Sequence, residues 1–293
     1  MAYTFSNPDP SDSSLHTFST LNHPLALEPI QQAIQKGEVS LRNLWLLSSD
    51  DGTAYAALML QPYPGQPSWR LGTLRTAPDI PDDAAAILFT RLRELSDLEK
   101  PIHIVYNDKV ARDFGTLPAH YGWHGGDDYS VSHRTDLSKR DDLEADPAAQ
   151  TLELDELLGE AFRNFYEPIW TMKRNSSDER SFKEAMQNLH TFATDDEGQL
   201  YALNDGGMPV AIGIVTSFAV LGEHAAGCNM LGVLPGKRQQ GWGKRLHRHL
   251  MWAAKARSPL YLGSTDASNT AMLRLFEVNG CIPDQKDWEL EPA

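Results

Sequence analysis

One stretch of the sequence decides the fold: Gly232-Val-Leu-Pro-Gly-Lys-Arg-Gln-Gln-Gly-Trp-Gly-Lys-Arg-Leu246. An apolar run ends at Val233, and the Pro-Gly pair that follows indicates a turn. From Gly241 onward, apolar residues such as Leu250 recur at the spacing of a helix. The stretch therefore predicts the end of a strand, a tight turn and the first turns of a helix.

The glycines of this turn suit a pyrophosphate group. Gly241 and Gly243 leave backbone N–H groups uncovered, and the positive end of the helix dipole lies at the same place. Arg238, Lys244 and Arg245 add positive charge to an otherwise acidic chain. A glycine turn also occurs where a helix merely packs closely on a strand, so the turn alone leaves both roles open.

The flanking segments add a recognisable order of motifs. Residues 259–264 predict a strand, and residues 269–280 predict a helix that ends at a glycine. In order and spacing, four motifs resemble the acyl-CoA-binding core of the GNAT N-acetyltransferases: Val233-x-Pro235, Arg238-x-x-Gly241-x-Gly243, Asn269-x-Ala271 and Leu275-Phe276-x-x-x-Gly280. The resemblance implies an acetyltransferase that uses acetyl-CoA as co-substrate and an amine as acceptor.

Size and composition narrow the class of protein. A chain of 293 residues suggests two domains, and the net charge of −14 argues against a nucleic-acid partner. Apolar runs are too short to span a membrane, the first residues do not resemble a signal peptide, and the two cysteines lack metal-site spacing. We expect a cytoplasmic protein with no metal, no membrane partner and an undetermined oligomeric state.

A weak internal repeat predicts two copies of one folding unit. Residues 101–108 resemble residues 259–266, and Gly122 corresponds to Gly280, at a common offset of 158 residues. The expected fold class is α/β (α+β): two tandem GNAT-like domains, each a mixed, mostly antiparallel sheet flanked by helices. The predicted boundaries are a flexible lead-in over 1–20, a first domain over 21–136, a linker over 137–150 and an acyl-CoA-binding domain over 151–293.

The first copy lacks the phosphate-binding features of the second. Opposite the glycine turn it has residues 76–83, which contain no glycine, two prolines and three aspartates. Prolines remove N–H donors, and carboxylates repel a pyrophosphate. The first domain is therefore predicted to be degenerate, without a CoA site. Tandem halves with a competent second half resemble the arrangement of mycothiol synthase, in architecture alone.

The resemblance implies which residues hold the co-substrate. Backbone groups of the strand before the turn contact the pantetheine and the thioester carbonyl, with Val233 as the backbone donor to the oxyanion. The turn and the start of the helix hold the pyrophosphate, and Asn269 contacts the pantetheine region. The complete set is Leu231, Gly232, Val233, Arg238, Gln239, Gln240, Gly241, Trp242, Gly243, Lys244, Arg245, Asn269 and Phe276.

Phe276 departs from the family pattern. The GNAT family commonly has a tyrosine there, which protonates the leaving thiolate, and a phenylalanine cannot donate a proton. A thiol has a pKa of about 8.5, so an acid helps without being obligatory. Tyr261, Ser264 and Ser268 are alternative donors, although a structural role is more typical of each.

A general base is harder to identify. An amine has a pKa of about 10 and must lose a proton before it attacks. The candidates are Glu167, within an aromatic segment expected to border the acceptor pocket, and His224, at the far end of the strand before the turn. Both are also typical surface residues. Phe162, Tyr166 and Trp170 either shape that pocket or pack in the core. His247 and His249 are expected on the helix surface, either solvated or near the 3′-phosphate.

Three functions remain open from the sequence. The first is an N-acetyltransferase that acts on a small amine. The second is a catalytically silent acyl-CoA-binding or sensing protein, which the absent tyrosine and the missing base favour. The third is a protein acetyltransferase, for which an acidic groove facing a basic peptide is expected.

Overall fold

The structure is a computed structural model that describes residues 2–9, 13–22, 31–32, 34–37, 39–62, 68–77, 79–98, 100–107, 117–153, 168, 190–194, 198–220 and 223–293. It divides into two compact units. Unit 1 comprises Met1–Val131, Asp266–Ser268 and Gln285–Ala293, and unit 2 comprises Ser132–Thr265 and Asn269–Asp284.

The described residues form strands and helices in an order that recurs along the chain. The strands are β1 (Tyr3–Ser6), β2 (Leu44–Ser49), β3 (Ala54–Pro62), β4 (Trp69–Thr76), β5 (Ile102–Asn107), β6 (Trp123–Asp136), β7 (Ala149–Leu152), β8 (Gln199–Asp205), β9 (Met208–Val220), β10 (Glu223–Val233), β11 (Leu260–Asp266) and β12 (Ile282–Pro292). The helices are α1 (Ser13–Asn22), α2 (Asp82–Leu98), α3 (Leu117–His120), α4 (Trp242–Lys255) and α5 (Thr270–Val278).

In unit 1 the strand order is β1-β2-β3-β4-β5-β12, followed by the first part of β6. β4 and β5 pair in parallel, whereas β1–β2, β2–β3, β3–β4 and β5–β12 are antiparallel. Helix α2 buries the apolar side chains that recur at helical spacing, including Leu88, Phe89 and Leu92. Each such side chain contributes about 1.5–3 kcal/mol through burial.

In unit 2 the strand order is the last part of β6, then β11-β10-β9-β8-β7. β10 and β11 are parallel, and β7–β8, β8–β9 and β9–β10 are antiparallel. Helix α4 packs on β9 and β10 with Leu246 and Leu250 fully buried. A Cβ atom at Gly213 would lie 2.6 Å from Leu250, so this glycine lets the helix approach the sheet closely.

The last strand belongs to unit 1, although the sequence prediction assigned it to the second domain. Residues 287–290 of β12 pair antiparallel with β5, and Leu290 is buried in the core of unit 1. The segment predicted as a linker, residues 137–150, lies within unit 2, where Leu137 and Leu143 are buried. Neither placement has a local signal in the sequence. The segment 137–150 is mostly charged around its apolar side chains, and β12 pairs with a strand that is far away in sequence.

Both units contain a pair of parallel strands. In unit 1, β4 and β5 pair from Trp69–Ile102 to Leu71–Ile104. In unit 2, Ala226 of β10 pairs with Tyr261 of β11. A Cβ atom at Gly227 would lie 2.3 Å from the Leu262 carbonyl, so the strands approach closely at this point. The splay predicted between these two strands stays a prediction.

Candidate functional site

The turn between β10 and α4 is built on two residues with positive φ. After a 3₁₀ turn at Pro235–Lys237, Gln239 has φ 60° and Gly241 has φ 87°. A Cβ atom at Gly241 would meet nothing within 4 Å, so the glycine is required for its backbone conformation and not for space. The Gln240 side chain donates to the Gly236 carbonyl at 3.0 Å and closes the loop from within.

Helix α4 begins without a cap. Its N-cap residue is Gly241, which makes no side-chain capping hydrogen bond, and its first turn contains no acidic residue. The first backbone bond of the helix runs from the Arg245 N–H to the Gly241 carbonyl at 3.0 Å. The N–H groups of Trp242, Gly243 and Lys244 therefore have no acceptor inside the helix. Such an N-terminus binds anions.

The end of β10 pairs with β9 on one side. Residues 231–233 pair with β9, and the register shifts between Cys228 and Met230, which marks a β-bulge. Within the described residues, β10 pairs with β11 at Ala226, five residues before Leu231. Backbone groups of residues 231–233 that face neither β9 nor the Arg238 side chain are therefore available to another molecule. A bulge also reverses which backbone groups face each side of a strand.

Positive side chains surround the turn, and they have different partners. The Arg238 Nε donates to the Val233 carbonyl at 3.1 Å, and Lys244 is exposed. Arg245 forms a bidentate ion pair with Asp146, with N–O distances of 2.8 and 2.7 Å, and lies 4.5 Å from the centre of the Trp242 ring. The Arg245 guanidinium holds the pKa of the Asp146 carboxyl below its ordinary value.

Comparison with known families identifies this part of the chain. The acetyltransferase (GNAT) family matches residues 159–280. The match makes residues 159–280 similar to that family. The match spans β10, the glycine turn, α4, β11 and α5, which are the elements that carry the motifs of the sequence analysis. The GNAT fold supports acyl transfer from acyl-CoA.

Solved structures extend the likeness to the whole chain. A GCN5-related N-acetyltransferase from Sphaerobacter thermophilus is 14% identical, with a TM-score of 0.63, over 99% of this chain and 95% of its own. A GNAT-family acetyltransferase from Colwellia psychrerythraea is 14% identical, with a TM-score of 0.56, over 100% of both chains. A tandem GNAT protein from the clavulanic acid biosynthesis pathway is 16% identical, with a TM-score of 0.58, over 99% of this chain and 98% of its own.

These likenesses are of fold, and they confirm the predicted fold class. They do not address the resemblance to mycothiol synthase. A comparison with curated proteins found no match. No helix in the described ranges is long and apolar enough to cross a membrane. Across the same ranges, no group of three or more histidine, cysteine or acidic side chains is arranged to hold a metal ion.

Phe276, at the position of the usual GNAT tyrosine, is completely buried in unit 2. Its ring stacks on His133 with centroids 4.1 Å apart and meets the edge of His247 at 5.2 Å. A Cβ atom at Gly263 would lie 2.7 Å from this ring, so β11 has a glycine where the phenylalanine packs. The structure thus shows Phe276 as a core residue, and contact with CoA stays a prediction.

Asn269 has a structural role at the start of α5. Its side-chain oxygen accepts a hydrogen bond from the Met272 N–H at 3.2 Å, which caps the helix. Its side-chain nitrogen donates to the Thr265 hydroxyl at 3.0 Å. Both ends of the amide are therefore engaged, and its contact with the pantetheine stays a prediction.

Of the two predicted bases, His224 is among the described residues. His224 is exposed near the start of β10, where its backbone carbonyl accepts a hydrogen bond from the Ser258 hydroxyl at 2.7 Å. Glu167 and the aromatic residues Phe162, Tyr166 and Trp170 lie outside the described residues.

The expectation for two histidines of α4 is wrong, because both are buried. His247 is 0% exposed and His249 is 4% exposed. His247 lies three residues before Leu250 and seven before Ala254, so it falls on the apolar face of the helix. Sequence analysis treated the histidines as polar; their spacing relative to the apolar residues was the available signal.

His247 belongs to a buried polar network that sequence analysis missed. Its Nε2 lies 3.0 Å from the Tyr261 hydroxyl, and its Nδ1 lies 2.8 Å from the side-chain nitrogen of Asn279. Burial lowers the pKa of His247 to about 3, so the ring is neutral at pH 7. Burial also raises the pKa of the Cys228 thiol to about 12, which leaves that cysteine protonated and unreactive.

Proposed function

We propose that this protein is an N-acetyltransferase that transfers an acetyl group from acetyl-CoA to the amine of a small molecule, with its site in unit 2. The observation that carries the proposal is the uncapped N-terminus of α4, which directly follows the bulged and partly unpaired end of β10. This pair of features lies inside the segment that matches the GNAT family.

The co-substrate fits the backbone groups that are available. The pyrophosphate would accept hydrogen bonds from N–H groups between Gln239 and Lys244, with Arg238 and Lys244 nearby as cations. The pantetheine would run along the open edge of residues 231–233. Arg245 is already paired with Asp146, so we expect it to orient the turn more than to contact phosphate.

The chemistry needs an electrophile that is polarised and an amine that is neutral. The amine nitrogen attacks the thioester carbonyl, the carbon–sulfur bond breaks, and CoA leaves as the thiolate while the amine loses a proton. The Val233 N–H is the proposed donor to the oxyanion, since a positioned backbone N–H stabilises such a charge. Phe276 supplies no proton, so the thiolate takes its proton from solvent or from the acceptor side.

Of the two candidate bases, His224 is disfavoured by its position on β10. His224 precedes the bulge at Asn229 by five residues, which is about 16 Å along a strand. A base must lie within hydrogen-bonding reach of the amine, directly or through one water. His224 is therefore too far along β10 to reach an amine that attacks beside residues 231–233. Glu167 is therefore the proposed base.

Unit 1 is proposed to bind no CoA, which gives one site per chain. The first turn of α2 contains Asp82 and Asp83, and Asp83 accepts a hydrogen bond from the Ala84 N–H at 3.1 Å. A helix N-terminus that already holds carboxylates repels a pyrophosphate.

A second function is favoured by one specific observation. Phe276 is buried and has no hydroxyl, so the group that commonly assists departure of the thiolate is missing. A protein that binds acyl-CoA without turnover, as a sensor, is consistent with this. Turnover with an amine separates the two functions.

The deciding experiment is calorimetric titration with acetyl-CoA, followed by an amine screen that measures release of the CoA thiol. We expect one site per chain in the wild type and binding at least about 100-fold weaker in Gly241→Asp, because the new carboxylate faces the phosphates. Gly207→Asp is the matched control, since Gly207 has φ 85°, an open Cβ position and lies in the β8–β9 turn.

Each other outcome has a clear meaning. Two sites per chain would contradict the degenerate first unit, and equal binding by both variants would remove the co-substrate from the glycine turn. Binding without turnover across the amine screen would favour the silent protein.

A further inference from the structure

The first turn of α4 is weakly stabilised by its own sequence. Its N-cap, Gly241, makes no side-chain capping hydrogen bond, and the second residue of the helix is Gly243. A glycine inside a helix is destabilising relative to alanine, because its backbone loses more freedom on folding. The free N–H groups of this turn bind an anion only while they point in one direction. The turn therefore needs support from outside its own backbone.

One support comes from Arg245, which lies a turn further along α4. Helical side chains lean toward the N-terminus, so this arginine lies over the turn that precedes it. Its guanidinium carbon is 4.5 Å from the centre of the Trp242 ring. Trp242 is the first residue of the helix and carries the first of the free N–H groups. The stacked pair therefore ties the start of the helix to its second turn.

Asp146 fixes the position of this arginine. Its two carboxylate oxygens accept hydrogen bonds from Nε and Nη2 of Arg245 at 2.8 and 2.7 Å. A bidentate pair sets the plane of the guanidinium as well as its distance. Asp146 thereby determines where the guanidinium lies over the Trp242 ring.

Asp146 is itself held at every polar group. Its N–H donates to Nδ1 of His249 at 3.1 Å, and His249 is 4% exposed. Its Oδ1 also accepts from the Ala148 N–H at 2.9 Å, and its carbonyl accepts from the Ala149 N–H at 2.9 Å. Ala149 begins β7, which pairs with β8. The carboxylate is therefore anchored both to the helix and to the sheet of unit 2.

Among its described residues, unit 1 has no counterpart of this pair. At the common offset of 158 residues, Trp242 and Arg245 correspond to Ala84 and Ile87 of α2. Ala84 is fully buried, and Ile87 packs against the apolar core of unit 1. The first turn of α2 contains its own carboxylates. The ion pair thus accompanies the helix start that is left open for an anion.

We infer that Asp146 is a positioning residue for the co-substrate, which acts through Arg245 to fix the phosphate-binding start of α4. The inference rests on the proposed function of unit 2, and it adds a residue from the segment 137–150 that was predicted to be a linker. A purely electrostatic role would have the opposite effect. Removal of the carboxylate leaves the charge of Arg245 unpaired, and that charge by itself attracts phosphates. The sign of the change in affinity therefore separates the two roles.

The test is calorimetric titration of the full-length protein with acetyl-CoA, in the wild type, Asp146→Asn, Arg245→Gln and the double variant. We expect each single change to weaken binding at least about 10-fold, the order of one charge-assisted hydrogen bond. The double variant should bind no more weakly than the weaker single variant, because both changes break the same contact.

Two further variants serve as references. Asp146→Glu keeps the carboxylate, so we expect its affinity to lie between those of Asp146→Asn and the wild type. Asp141→Asn is the matched control, because it removes a carboxylate of the same segment from a side chain that is 96% exposed. We expect it to bind acetyl-CoA as the wild type does.

Turnover adds a readout that general destabilisation would not reproduce. Asp146→Asn should raise KM for acetyl-CoA and leave kcat within about twofold, because the phosphates are bound equally in the ground state and the transition state. Acetyl-pantetheine carries no phosphate, so we expect the wild type and Asp146→Asn to use it equally well.

Equal or tighter binding of acetyl-CoA by Asp146→Asn would overturn the inference, and so would losses that add in the double variant. If the wild type binds no acetyl-CoA, the proposed function fails. Amide hydrogen exchange at Arg245, whose N–H closes the first turn, then still shows whether Asp146 holds that turn. We expect faster exchange there in Asp146→Asn than in the wild type, and unchanged exchange would contradict the positioning role.

Discussion

Helices α2 and α4 begin at corresponding places in the two units, and their first turns differ in charge. In α2, Asp83 accepts hydrogen bonds from the Ala84 N–H at 3.1 Å and from the Tyr3 hydroxyl at 2.9 Å. In α4, the N-cap is a glycine and the first turn has no carboxylate. One helix N-terminus is occupied by its own side chains and the other is left for an anion.

The backbone around these helices is otherwise similar. In β4 the register shifts between Leu71 and Thr73, as it does in β10. A residue with positive φ other than glycine precedes each helix, Asp79 at 59° and Gln239 at 60°. The comparison teaches that the proposed phosphate site depends on a few side chains in one turn, because the strand, bulge and helix recur in unit 1 with carboxylates at the helix start.

The largest expected effect is the destabilisation of unit 1 by a deletion at the end of the chain. It tests whether unit 1 needs residues that follow unit 2 in the sequence. Deleting residues 285–293 removes the paired part of β12 and the buried Leu290. We expect unit 1 to lose several kcal/mol of unfolding free energy, since burial of one leucine alone contributes about 1.5–3 kcal/mol. Thermal denaturation monitored by tryptophan fluorescence measures this.

The control for that deletion removes residues 2–6, which carry the four-residue edge strand β1. An edge strand has one neighbour, so its loss is expected to cost less than the loss of β12. Equal melting temperatures for the wild type and the 285–293 deletion would contradict the assignment of β12 to unit 1.

A second effect concerns His247 of α4. Its counterpart in α2, at the common offset of 158 residues, is Phe89. The pKa of buried His247 is about 3, well below the unfolded value of about 6.5. Its contribution to stability is therefore present above pH 6.5 and is lost as the pH falls from 6.5 toward 3. At pH 5 we expect a loss of about 2 kcal/mol from this group.

His247→Phe removes the titrating group and should flatten this part of the pH profile. Urea denaturation between pH 8 and pH 4.5 measures the profile, and Tyr201→Phe serves as the control because it leaves His247 unchanged. Identical slopes in the wild type and His247→Phe would show that His247 is not buried in its neutral form.

The smallest effect concerns the carboxylate that faces the first turn of α4. Asp146 is paired with Arg245, and its side chain is 12% exposed whereas that of Arg245 is 42% exposed. We expect Asp146→Asn to lower the unfolding free energy by about 1 kcal/mol at pH 7, since solvent screens the arginine. A depressed carboxyl pKa means that this contribution is lost as the pH falls below about 4.

Urea denaturation at pH 7 and pH 3.5 tests this sign. The difference between the wild type and Asp146→Asn should shrink at the lower pH, and Asp141→Asn, on a side chain that is 96% exposed, is the control. A difference that grows on acidification would contradict the pairing with Arg245.

Local pattern predicted the secondary structure around the candidate site well where the residues are neighbours in sequence. The strand end, the turn and the start of α4 lie where the sequence analysis expected them, because glycine, proline and apolar spacing are local signals. Gly122 and Gly280, matched by their offset, both have positive φ, at 77° and 71°. A glycine is needed at each to end the preceding helix.

Contacts between distant residues were not predictable in the same way. Asp146 and Arg245 are 99 residues apart, and no local pattern connects them. The membership of β12 depends on pairing between strands, and an alternating strand fits many edges equally well. His247 was misplaced because its side chain is polar, although its position on the helix indicated burial.

The place of β12 also sets the order in which the molecule can be completed. A ribosome makes β1 to β5 first, yet the partner of β5 is synthesised only after α5. Chains fold as they emerge, so the nascent β5 must wait with an unpaired edge while all of unit 2 is being made. Pairing across such a sequence separation is slow. The unit that is synthesised first is therefore the one that is finished last, and we expect chaperones to be needed chiefly for its exposed edge.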